Sequence, residues 1–303
     1  MDVGRFLKMS CKRISSDGIS GLREVLYRTY QGAWTNIGRH YNYGTNIYES
    51  DWDVLIVLDA CRVDTLNQVA PEYDFLDRID STYSVGSASA EWMQKTFDES
   101  HRKEIQKTVY ITGNPHSKEI LRADDFLLLD EVWRYRWDEE LGTVRPRSVT
   151  NQAVKHYRKK EPERMILHYM QPHFPSVPVP ELGSQINPDT TGWESIWDDL
   201  RTGKVKKETA TEAYVENLRY VMDDLEILLS NISADSVVLT SDHANLFGRF
   251  NLYGHPSYVP LRELKRVPWV DLEASDEKTY TPIEYDSPSE TGVEEKLKTL
   301  GYL

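Results

Sequence analysis

Short, continuous apolar runs recur along the chain, each closed abruptly by a polar residue. The clearest is Val54 to Leu58, which stops at Asp59. A β-branched run too short for a helix predicts a central strand buried on both faces. Comparable runs occur at 108–112 (TVYIT), 126–130 (FLLLD), 165–170 (MILHYM) and 236–240 (SVVLT). Between them the apolar period lengthens to that of a helix. Over 208–230, Tyr214, Leu218, Val221, Met222, Leu225, Leu228 and Leu229 fall on one stripe. Strands alternating with helices predict an α/β fold over residues 51–271, a mixed, mostly parallel central sheet sandwiched by helices.

The flanks read differently. Leu22, Val25, Leu26, Tyr30, Ala33, Trp34 and Ile37 have helical spacing, so residues 1–50 are expected to form a helical arm. That helix packs on the main domain or, with Trp and Tyr beside Arg, lies against a membrane surface. Residues 272–303 are expected to be a polar loop followed by a short helix, VEEKLKTLGYL, stopped at Gly301.

Composition narrows the partners. With 36 basic and 49 acidic residues the net charge is −13, which argues against a nucleic-acid ligand. It leaves room for an anionic substrate in one cation-lined pocket. Two cysteines give no disulfide framework, and the first residues lack the apolar stretch of a leader peptide. No apolar run is long enough for a transmembrane helix. A cytoplasmic protein, with peripheral membrane contact left open, is the expectation from these features.

Ligands of open α/β sheets sit beyond the carboxyl ends of the strands. Two of the apolar runs end there in acidic residues, Asp59 in LIVLDACR and Asp242 with His243 in VVLTSDHAN. Two carboxylates and an imidazole at neighbouring strand ends are a plausible set of ligands for a divalent metal. Either aspartate could instead cap the helix after its strand, and Arg62 could be an ion-pair partner of Asp64.

At these residues the chain resembles the sulfatase-like family of the alkaline phosphatase superfamily. VLIVLDACRVDTL is similar to the family's opening motif, a buried strand ending in a metal-binding Asp followed by Arg and a second Asp. VVLTSDHANLFGRFNLYGHPSYVPLRELKRVPWV looks like its later metal motif, with Ser-Asp-His, Phe-Gly, Gly-His and Val-Pro in order. MILHYMQPHFPSVP resembles the family's strand with Pro-His-x-Pro, and KLKTLGYL a frequent family ending. The matches run in family order from about residue 51 onward.

The resemblance implies an alkaline phosphatase-like fold with Asp59, Asp242 and His243 as metal ligands. His173 and His255 would face the substrate ester, and Arg62 would support the first motif or the anion. The Cys/Ser-x-Pro-x-Arg motif that becomes formylglycine in sulfatases is missing. In its interval stands YSVGSASAEWMQKTF, similar to the nucleophile segment of the lipoteichoic-acid-synthase-like branch. On that pattern Ser87 takes the place of the nucleophile and fourth metal ligand, with Glu91 and Trp92 in the Glu-aromatic place. Ser89 is the alternative.

The implied activity is metal-dependent transfer or hydrolysis of a phosphate or sulfate ester, of a glycan or lipid-linked headgroup, through a serine. One divalent metal ion (Mg, Mn or Ca) is expected. Sulfate hydrolysis without formylglycine, or a non-catalytic metal- or partner-binding role, are the competing readings.

Overall fold

The computed structural model describes residues 3–182 and 195–285. Seven strands form its central sheet: β1 Val54–Asp59, β2 Asp80–Tyr83, β3 Thr108–Thr112, β4 Leu128–Glu131, β5 Arg164–Pro172, β6 Val237–Ser241 and β7 Arg266–Leu272. Their spatial order is β2-β7-β6-β1-β5-β3-β4. All pairings are parallel except those of β7, which runs antiparallel to both β6 and β2. This is the mixed, mostly parallel sheet that the apolar runs predict.

The alternation along β1 explains why it sits at the centre. Val54, Ile56 and Leu58 pack on one side with helices α2 (Val63–Val69), α4 (Pro146–Lys160) and α6 (Lys207–Leu229). Leu55 and Val57 face the other side, against Trp52 and against Trp92 and Met93 of α3 (Ser89–Thr96). With both faces covered, every position can be apolar, which makes the run continuous.

Two elements at this side of the sheet lack such a signal. β2 is short, polar and largely exposed, so no apolar period marks it. β7 pairs with β2 across a long stretch of sequence, Val267 against Thr82. The run at 126–130 is also displaced: Leu128 and Leu129 lie in β4, whereas Phe126 precedes the strand.

The arm is helix α1, Val3–His40, broken at Gly18 where φ is 56°. It meets the domain through Arg28, which pairs with Asp198 of α5 (Ile196–Thr202) at 2.8 Å, and through Trp34, tilted against Phe250. Residues 272–285 run back along the domain, with Ser275 N–H donating to the Leu229 carbonyl at 2.9 Å. The C-terminal helix expected from VEEKLKTLGYL lies outside the described residues.

Candidate active site

The three central strands β6, β1 and β5 end side by side. Leu58 is level with Ser241, and a register shift after Leu58 sets Asp59 opposite Pro172. Asp59, the Asp242–His243 pair and His173 therefore emerge at one place. The chain leaves β1 sharply because Ala60 adopts a left-handed conformation, φ 65°. Its N–H then donates to Asp242 Oδ1 at 3.0 Å.

Each ligand candidate is held by one atom and presents another. Asp59 Oδ2 accepts from Asn114 Nδ2 at 2.9 Å, and Asp242 Oδ1 accepts from the His243 and Ala60 N–H groups. His243 Nδ1 sits 3.0 Å from the Ala244 carbonyl, which makes Nδ1 the protonated nitrogen and leaves Nε2 as an acceptor. The free atoms Asp59 Oδ1 and Asp242 Oδ2 make no hydrogen bond although buried. They lie 3.5 and 3.4 Å from His243 Nε2. Two orphaned buried carboxylate oxygens converging on an imidazole nitrogen are a donor set that fits a divalent cation.

The electrostatics agree with that fit. Burial and the Asp242 carboxylate push the Asp59 pKa well above the usual carboxylate range. Burial opposes ionisation of Asp242 too, but His243 and His168 outweigh it and hold that carboxyl low. Bringing both carboxylates to full charge calls for a positive partner between them.

Two serines flank this centre with different partners. Ser89, the first residue of α3, points its Oγ at the cluster, 3.2 Å from His243 Nε2 and 3.4 Å from Asp59 Oδ2. Ser87 turns away. Its Oγ donates to Glu91 Oε2 at 2.7 Å and accepts from Val259 N–H at 3.1 Å. Glu91, buried and ion-paired with Lys95, also accepts from the Ser87 and Tyr258 N–H groups. Glu91 thus folds back over the start of its own helix and ties Ser87 to the 256–259 loop. The structure does not bring Ser87 to the place the motif pattern gives it; the hydroxyl that stands there is Ser89.

His173 and His255 stand at the mouth, both partly exposed, with their Nε2 atoms 2.7 Å apart. The His255 ring also stacks on His243, centroids 4.6 Å apart. Burial, with His243 alongside, lowers His173 to about 4 and His255 well below the ordinary imidazole value. Arg62 does not face the cluster. Its guanidinium pairs with Asp64 and donates to the Asn245 carbonyl, bracing the loop that follows His243.

No protein-family model matches the chain, and no curated protein matches it in sequence. Solved structures do match. The integral membrane lipooligosaccharide phosphoethanolamine transferase A of Neisseria meningitidis aligns with a TM-score of 0.50 at 12% identity, over 92% of this chain and 60% of that one. The zinc complex of the C-terminal periplasmic domain of EptC from Escherichia coli aligns with a TM-score of 0.46 at 12% identity, over 77% of this chain and 76% of that one. The lipoteichoic acid synthase LtaP of Listeria monocytogenes gives a TM-score of 0.44 at 13% identity, over 76% and 66%.

The likeness to the N. meningitidis transferase is one of fold.

The matching structures run against the expected compartment. The N. meningitidis match is an integral membrane protein, and the cytoplasmic expectation does not stand. The cysteine count had no power here, since a domain with a core this large needs no disulfide in any compartment. No described helix is long and apolar enough to cross a membrane.

Sequence reasoning missed the residues behind the cluster. His168 lies in the middle of β5, fully buried, with Nδ1 2.8 Å from the Tyr110 hydroxyl and Nε2 3.5 Å from Asp242 Oδ2. Asn114 follows β3 and holds Asp59. Only their placement beside strand ends that turn out to be neighbours could have flagged them.

Proposed function

We propose that the chain is a metal-dependent enzyme that transfers or hydrolyses a phosphate ester through Ser89. The observation that carries this reading is the Ser89 hydroxyl set between His243 Nε2 and Asp59 Oδ2, beside two carboxylate oxygens without partners. Asp59, Asp242, His243 and Ser89 would hold one divalent cation. When bound, it would neutralise charge on the transferring group and ease ionisation of a coordinated hydroxyl.

The chain's own residues account for the remaining steps. Ser89 Oγ gives up its proton and attacks phosphorus, and the ester oxygen departs with the bonding pair and takes up that proton. Water or an acceptor alcohol then attacks the same phosphorus and releases Ser89, its proton returning to the serine oxygen. Burial keeps both histidines neutral. His173, with Nδ1 at the Phe174 carbonyl, presents Nε2 as an acceptor, and the His255 Nε2–H beside it can offer a hydrogen bond to a phosphoryl or leaving oxygen. Asn114 and the Ala60 N–H fix the carboxylates so that little reorganisation is needed.

Ser89 is followed by Ala90 and Glu91 rather than by the Pro and Arg spacing of formylglycine formation. That favours direct phosphoryl transfer by serine over sulfate hydrolysis. The named activities of the matching transferases and synthase make a lipid-linked or glycan-linked phosphodiester the substrate class to test first.

The experiment is turnover of p-nitrophenyl phosphate, its phosphodiester and the sulfate, with magnesium, manganese, calcium or zinc, against Asp242→Asn. Turnover that needs both cation and Asp242 supports the proposal, and the preferred ester selects the reaction. Turnover unchanged in Asp242→Asn would refute it.

A further inference from the structure

Helix α1 shows two faces. One is docked: Tyr27 is buried, Arg28 pairs with Asp198, Thr35 donates to the Ser257 carbonyl at 3.1 Å, and Gly38 lies against the Tyr258 carbonyl. The other is largely open to solvent. Ile19, Leu22, Leu26, Tyr30 and Ile37 are 74, 44, 60, 39 and 53% exposed. Their spacing is that of one helical stripe, roughly 27 Å long at the α-helical rise.

The stripe extends onto a second element. Phe250 is 49% exposed, 5.9 Å from the Trp34 ring, and its carbonyl accepts from the Tyr30 hydroxyl at 2.9 Å. Phe250 and Asn251 both have positive φ, 51° and 56°. A bulky aromatic residue in the left-handed region is strained. Here the strain leaves one side of an aromatic ring in solvent next to the apolar stripe, while the other side packs on Trp34.

Charge identifies what covers this surface. The chain as a whole carries −13. Yet Lys8, Lys12 and Arg23 of α1 are exposed, and Arg249, ion-paired with Glu263 at 3.1 Å, stands over the Phe250 ring at 4.6 Å. The helix's acidic residues Asp17 and Glu24 are ion-paired with Arg13 and Arg28. An apolar stripe with aromatic neighbours and a cationic border matches the boundary of an anionic lipid layer. A second copy of the chain would meet the stripe with the same cations and with the excess negative charge of its own bulk.

We infer that α1 and the Phe250 turn form a docking surface for an anionic lipid membrane. The turn lies a few residues before His255 in sequence. The inference does not depend on the catalytic reading, and its test reads binding.

The test is co-sedimentation of the full chain with vesicles of phosphatidylcholine, alone or mixed with phosphatidylglycerol, at low and high salt. The mixed vesicles should retain the protein, less so at high salt. Leu22→Glu with Leu26→Glu should weaken binding by at least about tenfold, and Arg23→Glu by roughly fivefold or more, given the contribution of each cation near such a surface. Circular dichroism and p-nitrophenyl ester turnover should be unchanged. No retention at low salt would overturn the inference. So would equal binding by wild type and the double variant, or a dimer seen by light scattering that the double variant dissociates in the absence of lipid binding.

Discussion

Ser89 Oγ lies 3.2 Å from His243 Nε2, while Ser87, two residues earlier, is bound to Glu91 and the 256–259 loop. The two serines therefore separate by experiment. Ser89→Ala should lower turnover by about three orders of magnitude or more. Ser87→Ala should keep most turnover but lose about 1–3 kcal/mol of stability, because Glu91 and Val259 each lose a buried partner. Kinetics with a p-nitrophenyl ester and thermal melts of both variants check this. The opposite pattern would return the nucleophile to Ser87.

A carboxyl whose pKa is raised in the folded chain, as at Asp59, holds its proton more tightly there than when unfolded. Protonation of Asp59 therefore stabilises the metal-free protein in acid, and that contribution is lost as pH rises through the raised value. Asp242, held low, loses its contribution only below the usual carboxylate range and leaves that window unaffected. A cation must expel the Asp59 proton, so it binds more weakly in acid. The rise in Tm on adding a divalent cation should be larger near neutral pH than in mild acid. A scanning-fluorimetry titration at both pH values tests it; equal increments would place the cation away from Asp59.

The Tyr110–His168–Asp242 line predicts an effect from residues that never meet the substrate. Partners that orient ligands typically matter about 10–100-fold in metal affinity or activity. Tyr110→Phe should fall towards the lower end, since His168 keeps its contact with Asp242. His168→Leu should fall at the upper end and weaken metal binding measured by calorimetry. Full metal affinity in His168→Leu would reduce this histidine to sheet packing.

Gly86 lets the loop approach α3. A β-carbon there would meet Trp92 N at 2.5 Å and Trp92 Cα at 2.6 Å, both main chain. Gly86→Ala should cost about 1–3 kcal/mol through overpacking and displace Ser89 with the helix. Denaturant melts and turnover should fall together; an unchanged midpoint would show that the loop can move aside.

The parts of the site that could be read in the sequence are those announced by a local contrast. Asp59 and Asp242 each end a buried apolar strand, and that break in pattern survives without any tertiary knowledge. Ser89 was harder to choose because the decision turns on where α3 begins. A two-residue uncertainty in a helix start exchanges Ser87 for Ser89, and such boundaries are weakly encoded. Glu91 compounded the difficulty, since it marks the helix start but pairs with the other serine. His168 and Asn114 carry no local mark at all. Their significance arises only when β3 and β5 come to lie where they do beside β1.

The Ala60 N–H that holds Asp242 bridges 182 residues of chain. Contacts of such separation form late in folding, since the loop must close before they repay its entropy. A partly synthesised chain that has laid down β1 to β4 therefore has Asp59 but neither Asp242 nor His243. A cation cannot nucleate this sheet in the way zinc organises a small finger. It would act as a latch on a finished scaffold, and growth in chelator should change how long the protein survives rather than whether it folds.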